Sequence, residues 1–498
     1  MYQEKENEAE FPKMHLAFGG RLRSDNRWVI LSDLIPWDEV EKKYASRMSR
    51  KKGRKAYSVR VALGACIIKE KLGISDEETV QQIRENHYLQ YFIGYESYRD
   101  ERPFDPSLMV SFRKRLSAEV IQELNDLIIE RELAKKRTEA KDTEDPPDSG
   151  SGTNGNKGTL IVDATCAPEA MRFPHDVTTL DEARQKTERI IDILHATMPL
   201  GSEKPRTYRW KARKEFLTFI RHRKPRTGDI RKALRKQRQY VERNLRSINK
   251  MADIVGLGNL TRKQYQDLQV IRDYVDQQKE LYQRGALEGG NRILSISKAH
   301  VRAIARGKAR GMFEFGAKIS VTLFEKFSRV ERLSWNNYNE GIDLIEHLET
   351  HKRRYGTYPE VVCADKIYRN RANLEFCKTN DIRLSGPKLG RPYKEENAKR
   401  EQRKIERQDE SVRVAIEGKF GEAKTRYSLD RIERRLKETS ESAIMMVFFL
   451  ANLATMMRTR VRNLFNLVWN ILRLYLARIS KCVFPFGSID FQAQAVFQ

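Results

Sequence analysis

Three acidic residues, each on a different local element, carry the chemistry this sequence suggests. Asp163 ends the apolar run Thr159-Leu160-Ile161-Val162, and Asp365 ends a second one, Val361-Val362-Cys363-Ala364. Glu417 lies in a helical stretch, with Arg413 one turn before it and Lys424 about two turns after it. A carboxylate at the end of a buried strand is costly unless it is paired or binds a cation. Two such strand ends and a helix-borne Glu predict a divalent-metal site for phosphate chemistry. In that chemistry two Mg²⁺ (or Mn²⁺) ions, roughly 4 Å apart, activate a water and stabilise the leaving 3′ oxygen. Such hard cations take carboxylate oxygens. Acids are common here, 69 in all, so three of them do not by themselves define a site. Arg413, Glu417 and Lys424 share one helix face by spacing, which an ordinary ion-paired surface explains equally well.

The charge balance points to the partner. Lys and Arg number 95 in 498 residues, for a net charge of +26. That excess suits a polyanion, with nucleic acid first and a merely solvated basic surface as the alternative. The cations cluster. Arg231, Lys232, Arg235 and Lys236 stand in a basic stretch interleaved with Tyr208, Trp210, Phe216, Phe219 and Tyr240. Those four cations are candidate phosphate contacts, while the aromatics suit the core of a helical hairpin. Cys66, Cys166, Cys363, Cys377 and Cys482 form no CxxC pair, which fits a reduced, cytoplasmic chain without a zinc module. The first residues are charged and show no signal peptide. The apolar run from Ala443 to Met457 is interrupted by Asn452 and Thr455. It falls short of the roughly 20 residues that span a bilayer, so a buried helix and no membrane partner are expected.

The elements that must position these residues follow from periodicity. Residues 1–133 read as helical. Val59 to Leu72 has helical apolar spacing, Gly73 stops it, and Ser75-Asp76-Glu77-Glu78 opens a second helix with capping-box spacing. That arrangement is compatible with a helix-turn-helix. Residues 134–158 are poor in apolar side chains and read as a disordered linker. Strands are expected at Thr159–Asp163, Phe313–Phe324, Arg329–Trp335, Glu360–Ala364 and Ile382–Ser385. The basic helical insertion covers 181–290. The catalytic unit is then 159–180 with 291–440, and 441–498 holds apolar helices and a tail.

The pattern Arg413, three residues, Glu417, six residues, Lys424 resembles the signature of insertion-sequence DDE transposases of the IS4/IS5 type (IS5/IS1182-like). The Tyr that often precedes the Arg is replaced by Glu410. Val162-Asp163-Ala164-Thr165 and Ala364-Asp365-Lys366-Ile367-Tyr368-Arg369-Asn370-Arg371 are similar to that family's two Asp motifs. Leu333 to Glu340 and the N-terminal Tyr88-to-Tyr95 and Asp105-to-Leu116 segments resemble further family segments. The resemblance covers about 20 to 455. It implies an α/β, RNase H-like mixed-sheet catalytic core with a large helical insertion, plus an all-α N-terminal DNA-binding domain. Asp163, Asp365 and Glu417 would be the catalytic, metal-holding triad. Arg413 and Lys424 would grip the DNA backbone beside it. The implied partners are double-stranded DNA (terminal inverted repeats and target) and a second copy of the chain during synapsis, in the bacterial cytoplasm at the nucleoid. A metal-dependent nuclease on the same fold, or an inactive DNA-binding descendant, remains an alternative.

Overall fold

The computed structural model describes residues 22–46, 56–142, 155–284, 292–305, 313–387 and 396–483. The tail beyond 485 and the middle of the expected linker, 143–154, lie outside the described residues.

The N-terminal part is helical: α1 (Arg27–Leu34), α2 (Trp37–Ser46), α3 (Val59–Leu72), α4 (Asp76–Glu85), α5 (His87–Phe92), α6 (Leu108–Arg115) and α7 (Ala118–Asp142). The Ser58 hydroxyl caps α3 by accepting from the Val61 amide, and Gly73 closes it in the left-handed region at φ 66°. Ser75 caps α4 by accepting from the Glu78 amide. The expected helix, turn and helix are therefore present. The exposed side of α4 carries Glu77, Glu78, Gln81 and Glu85, a face of the same sign as DNA. The cationic edge lies instead on α6, where Lys114 and Arg115 are exposed. Its Arg113 is committed to Asp76 by two hydrogen bonds of 2.8 Å.

Helix α7 continues past residue 133, so the first part of the expected linker is helical. Ala134-Lys135-Lys136-Arg137-Thr138-Glu139-Ala140 contains mainly strong helix formers, and absence of apolar residues does not oppose an exposed extension of a packed helix.

The sheet is built from β1 (Thr159–Pro168), β2 (Arg302–Ala305), β3 (Phe313–Phe324), β4 (Phe327–Ser334), β5 (Val361–Ala364) and β6 (Arg383–Leu384). Its order is β2-β3-β1-β5-β6, and β4 also pairs with β3. The β1–β3, β2–β3 and β3–β4 pairs are antiparallel, whereas β1–β5 and β5–β6 are parallel. The short β2 had no signal in the sequence. Strand β1 does not end at Asp163 as expected. Its ladder with β3 runs from Ile161–Leu323 to Pro168–Gly316, so backbone pairing carries the strand through the less apolar Ala164-Thr165-Cys166-Ala167.

Alternation on the strands divides the core. Ile161 and Cys363 join one face with Ile319, Val321 and Leu323. Leu160, Val162, Val362 and Ala364 join the other, beneath Leu344 and Leu348 of α12 (Leu344–Tyr355) and Cys377 of α13 (Arg371–Thr379). The first face is covered by α7, α14 (Glu396–Tyr427) and α15 (Lys437–Val483). One apolar core therefore joins the N-terminal helices, the sheet and α15, and the boundaries expected near 133 and 441 do not separate cores. Asn452 of α15 ties the layers: its Nδ2 donates to Asn125 Oδ1 of α7 (2.8 Å) and the Ser328 carbonyl of β4 (2.7 Å). Residues Lys437–Asn463 form a helix segment long and apolar enough to cross a membrane, but 83% of its most apolar window is buried inside the fold.

Between β1 and β2 the chain forms α8 (Asp176–Ala196), α9 (Arg209–Ile220), α10 (Thr227–Val255) and α11 (Arg262–Arg284). The insertion begins at Asp176, slightly earlier than 181. It has its own apolar centres, one around Leu180, Val241, Ile271 and Tyr274, the other around Ile191, Ile248 and Leu268.

Candidate active site

Register places the two aspartates. The parallel β1–β5 ladder ends with Val162 opposite Ala364. Asp163 and Asp365 are the next residues of each chain segment and therefore neighbours at one end of the parallel pair. Alternation sends Asp163 to the same face as Ile161, and Asp365 follows Cys363 in the same way. That face lies under α14. Ile416, Phe420 and Ala423 are the buried stripe of α14, spaced at helical period, and their burial turns the neighbouring Arg413–Glu417 stripe toward the strand ends.

The charges meet on Arg413. Its Nη1 is 2.9 Å from Glu417 Oε1 and 3.6 Å from Asp163 Oδ2, and its Nη2 is 3.5 Å from Glu410 Oε1. Partial burial opposes its charge, but Glu417, Asp163 and Asp365 together raise its already high pKa. Burial pushes the Asp163 carboxyl up to about 6, with Asp365 and Glu340 adding to the rise. The Ala164 amide, which donates to Asp163 Oδ1 at 2.8 Å, and Arg413 oppose it. Asp365 instead caps the short turn Lys366–Tyr368, accepting from the Lys366 amide at 2.7 Å. Glu417 is half-exposed. The structure thus brings Asp163 and Glu417 to one guanidinium, with Asp365 near enough for its charge to act on it.

Among the described residues, no three His, Cys, Asp or Glu side chains stand close enough together to hold a metal ion. The donor chemistry nevertheless fits a hard cation. Asp163 is a partly buried carboxylate whose ionisation is opposed by its surroundings, and Arg413 is a cation it shares with Glu417. A divalent ion bound by oxygen would supply what is missing.

Sequence reasoning missed the floor of the site. Glu340 forms an ion pair with Lys318 of β3, and Lys318 donates to the Tyr338 carbonyl at 2.8 Å. Asn373 Nδ2 donates both to the Gly341 carbonyl (2.7 Å) and the Tyr368 carbonyl (2.8 Å). Asn370 Nδ2 also reaches the Gly341 carbonyl at 2.8 Å. These bonds staple the turn holding Glu340 to the turn following Asp365. Glu340 and Asn370 stand within the quoted segments, but nothing in their spacing marked them.

The other expected contacts fall into two groups. Lys424 is on α14, half-buried, and has no ion pair among the described residues. Arg231, Lys232, Arg235 and Lys236 lie on α10, which packs against α8, α9 and α11, away from the carboxylates' helix layer. Arg231 sits over the Tyr282 ring at 4.8 Å. Lys236 is paired with Glu215 at 2.9 Å, whereas Lys232 and Arg235 are exposed.

Two parts of the chain match known families. Residues 362–454, which hold Asp365, α14 and the buried part of α15, match a family described as transposase DDE domain. Residues 17–115 match a transposase domain (DUF772). A Rhizobium meliloti protein, "Uncharacterized protein ORF8 in nfe locus", is 31% identical over 148 residues, 30% of this chain and 64% of that protein. The chain therefore spans less than two thirds of that relative. No solved structure matches the chain. The two domains together are the combination typical of IS5/IS1182-family transposases.

Proposed function

From the premise that this chain is an insertion-sequence DDE transposase of the IS5/IS1182 type, we propose that it binds the terminal inverted repeats of its element, cleaves DNA there and joins the freed end to target DNA. The observation that carries the reading is the register that puts Asp163 beside Asp365, with Glu417 joined to them through Arg413. The strand pattern, three antiparallel strands β1, β3 and β4 followed by parallel β5 and β6, supports an RNase H-like core. The transposase domain at 17–115 and the exposed Lys114 and Arg115 support DNA contact by the N-terminal helices.

Asp163, Asp365 and Glu417 are the residues that would hold two Mg²⁺ (or Mn²⁺) ions, which supply a low-pKa water and charge stabilisation at the leaving oxygen. Water attacks phosphorus at the element's end and the 3′ oxygen leaves; that 3′-OH then attacks a target phosphodiester. Joining roughly conserves the number of phosphodiester bonds, so no nucleotide triphosphate is required. Lys424 neutralises backbone phosphate beside the acids. Arg231, Lys232 and Arg235 do so along the insertion. Two ends must be held together, which calls for a second copy of the chain. The work is done on DNA in the bacterial cytoplasm.

The test is a strand-transfer assay with a labelled transposon end and Mn²⁺ or Mg²⁺. Wild type gives joined product, and Asp163→Ala and Glu417→Ala give none. Full activity in either variant rejects the triad. Cleavage without any joined product would make the chain a nuclease instead.

A further inference from the structure

The guanidinium of Arg413 is shared among three carboxylates. One nitrogen serves the inner pair, Glu417 at 2.9 Å and Asp163 at 3.6 Å, while the other faces the outer Glu410 at 3.5 Å. Glu410 is one turn earlier on α14, and its side chain is 72% exposed. The inner contacts occupy the position from which a cation would neutralise Asp163 and Glu417. The guanidinium's charge at those oxygens repels an incoming divalent ion, so the two cations compete for the pair. Glu410 offers Arg413 a second partner on the same helix face, at i−3.

We propose that Glu410 is a positioning residue: it draws Arg413 outward when a divalent cation takes Asp163 and Glu417, so that Arg413 acts as the resting occupant of the site. This rests on the metal-holding reading of the three acids. In the resting chain Arg413 neutralises the inner pair and keeps the carboxylates from repelling one another. When the ion binds, Arg413 turns to Glu410 and presents its remaining donors to solvent and to phosphate. Each variant therefore has its own sign. Removing Arg413 vacates the inner oxygens and tightens metal binding. Removing Glu410 leaves Arg413 with the inner pair as its only partners and weakens metal binding.

The experiment measures Mn²⁺ affinity on the full chain without DNA, by titration calorimetry or by the electron paramagnetic resonance of free Mn²⁺. Arg413→Gln should bind Mn²⁺ about tenfold more tightly than wild type, and Glu410→Gln several-fold more weakly. The double variant should match Arg413→Gln, because Glu410 then has nothing to act through. Glu410→Gln weakening both backgrounds equally would show a general charge effect and overturn the proposal. Should the glutamine variant at 413 fail to fold, Arg413→Met keeps the long stem but loses the charge, and must also bind more tightly. Affinity at or below wild type in the folded Arg413 variant overturns the proposal while leaving the metal site standing. Absence of Mn²⁺ binding in every variant, wild type included, rejects the metal-holding reading itself and the proposal with it.

Discussion

Asp163 and Asp365 stand side by side because Val162 and Ala364 are the last pair of a parallel ladder, and the charge of Asp365 makes Asp163 harder to ionise. Asp365 contributes to the upward shift of Asp163. Replacing Asp365 with Asn should therefore lower the Asp163 pKa below about 6, read by carbon-13 titration of the labelled carboxyl. The same variant should cut DNA at least about a thousandfold more slowly, since it removes a ligand for charge stabilisation. An unmoved Asp163 titration would mean that the two side chains do not face one another.

Gly341 is the contact between the two turns under the site. A Cβ there would meet the Ile367 carbonyl oxygen at 2.4 Å. Gly341→Ala should cost about 1–3 kcal/mol by overpacking and reduce cleavage by displacing the turn that follows Asp365. Gly418 gives the contrast: its Cβ would meet nothing within 4 Å. Gly418→Ala in helix α14 should gain up to about 1 kcal/mol. Urea unfolding of both variants checks the pair.

Acid should destabilise the fold through His351. It is 3% exposed, packed edge-on to Phe324, and burial lowers its pKa from 6.5 to about 4, with Arg329 acting in the same sense. The folded state holds it neutral and the unfolded chain protonates it first. Its stability contribution is thus complete above pH 6.5 and is lost as pH falls toward 4. Between pH 7.5 and pH 5 the loss is roughly 2 kcal/mol. His351→Phe should flatten that part of the stability–pH curve. A curve as steep as wild type would place the acid sensitivity elsewhere.

The insertion separates an ion-paired cation from exposed ones. Lys236 is held by Glu215, whereas Arg231, Lys232 and Arg235 are exposed. Neutralising those three together should reduce the slope of log affinity against log salt by about 2–3. Lys236→Gln should lower stability and leave the slope nearly unchanged. Equal slopes for wild type and the triple variant would confine α10 to a structural role.

The strands nearest the acids were legible because Leu160, Val162, Val362 and Ala364 are buried and mark their elements. The end of β1 was not, because residues after Asp163 are held by ladder bonds to β3 rather than by apolar side chains. Likewise Arg302-Ala303-Ile304-Ala305 is too short and mixed to announce a strand; it exists because β3 offers an open edge. The helix from Ser75 was legible through its cap, yet its acidic outer side shows that a cap pattern locates a helix without saying what it touches. The spacing of Arg413 and Glu417 placed them on one face, but only the packing of Ile416 and Phe420 decides that this face turns toward Asp163. Glu340 could not be found at all, since its nearness depends on the Asn373 bonds that cross between two turns.

The Asn125–Ser328–Asn452 knot has a consequence for reach. It crosses from α7, the last of the N-terminal helices, through β4 into α15 behind Glu417's layer. The N-terminal helices are thus held at a set span from the carboxylates, as by a calliper with its screw tightened. On the proposed function such a frame would measure the cut from where DNA is held, and Asn452→Leu should blur the cutting position, mapped by sequencing of cleaved ends, before it weakens DNA binding.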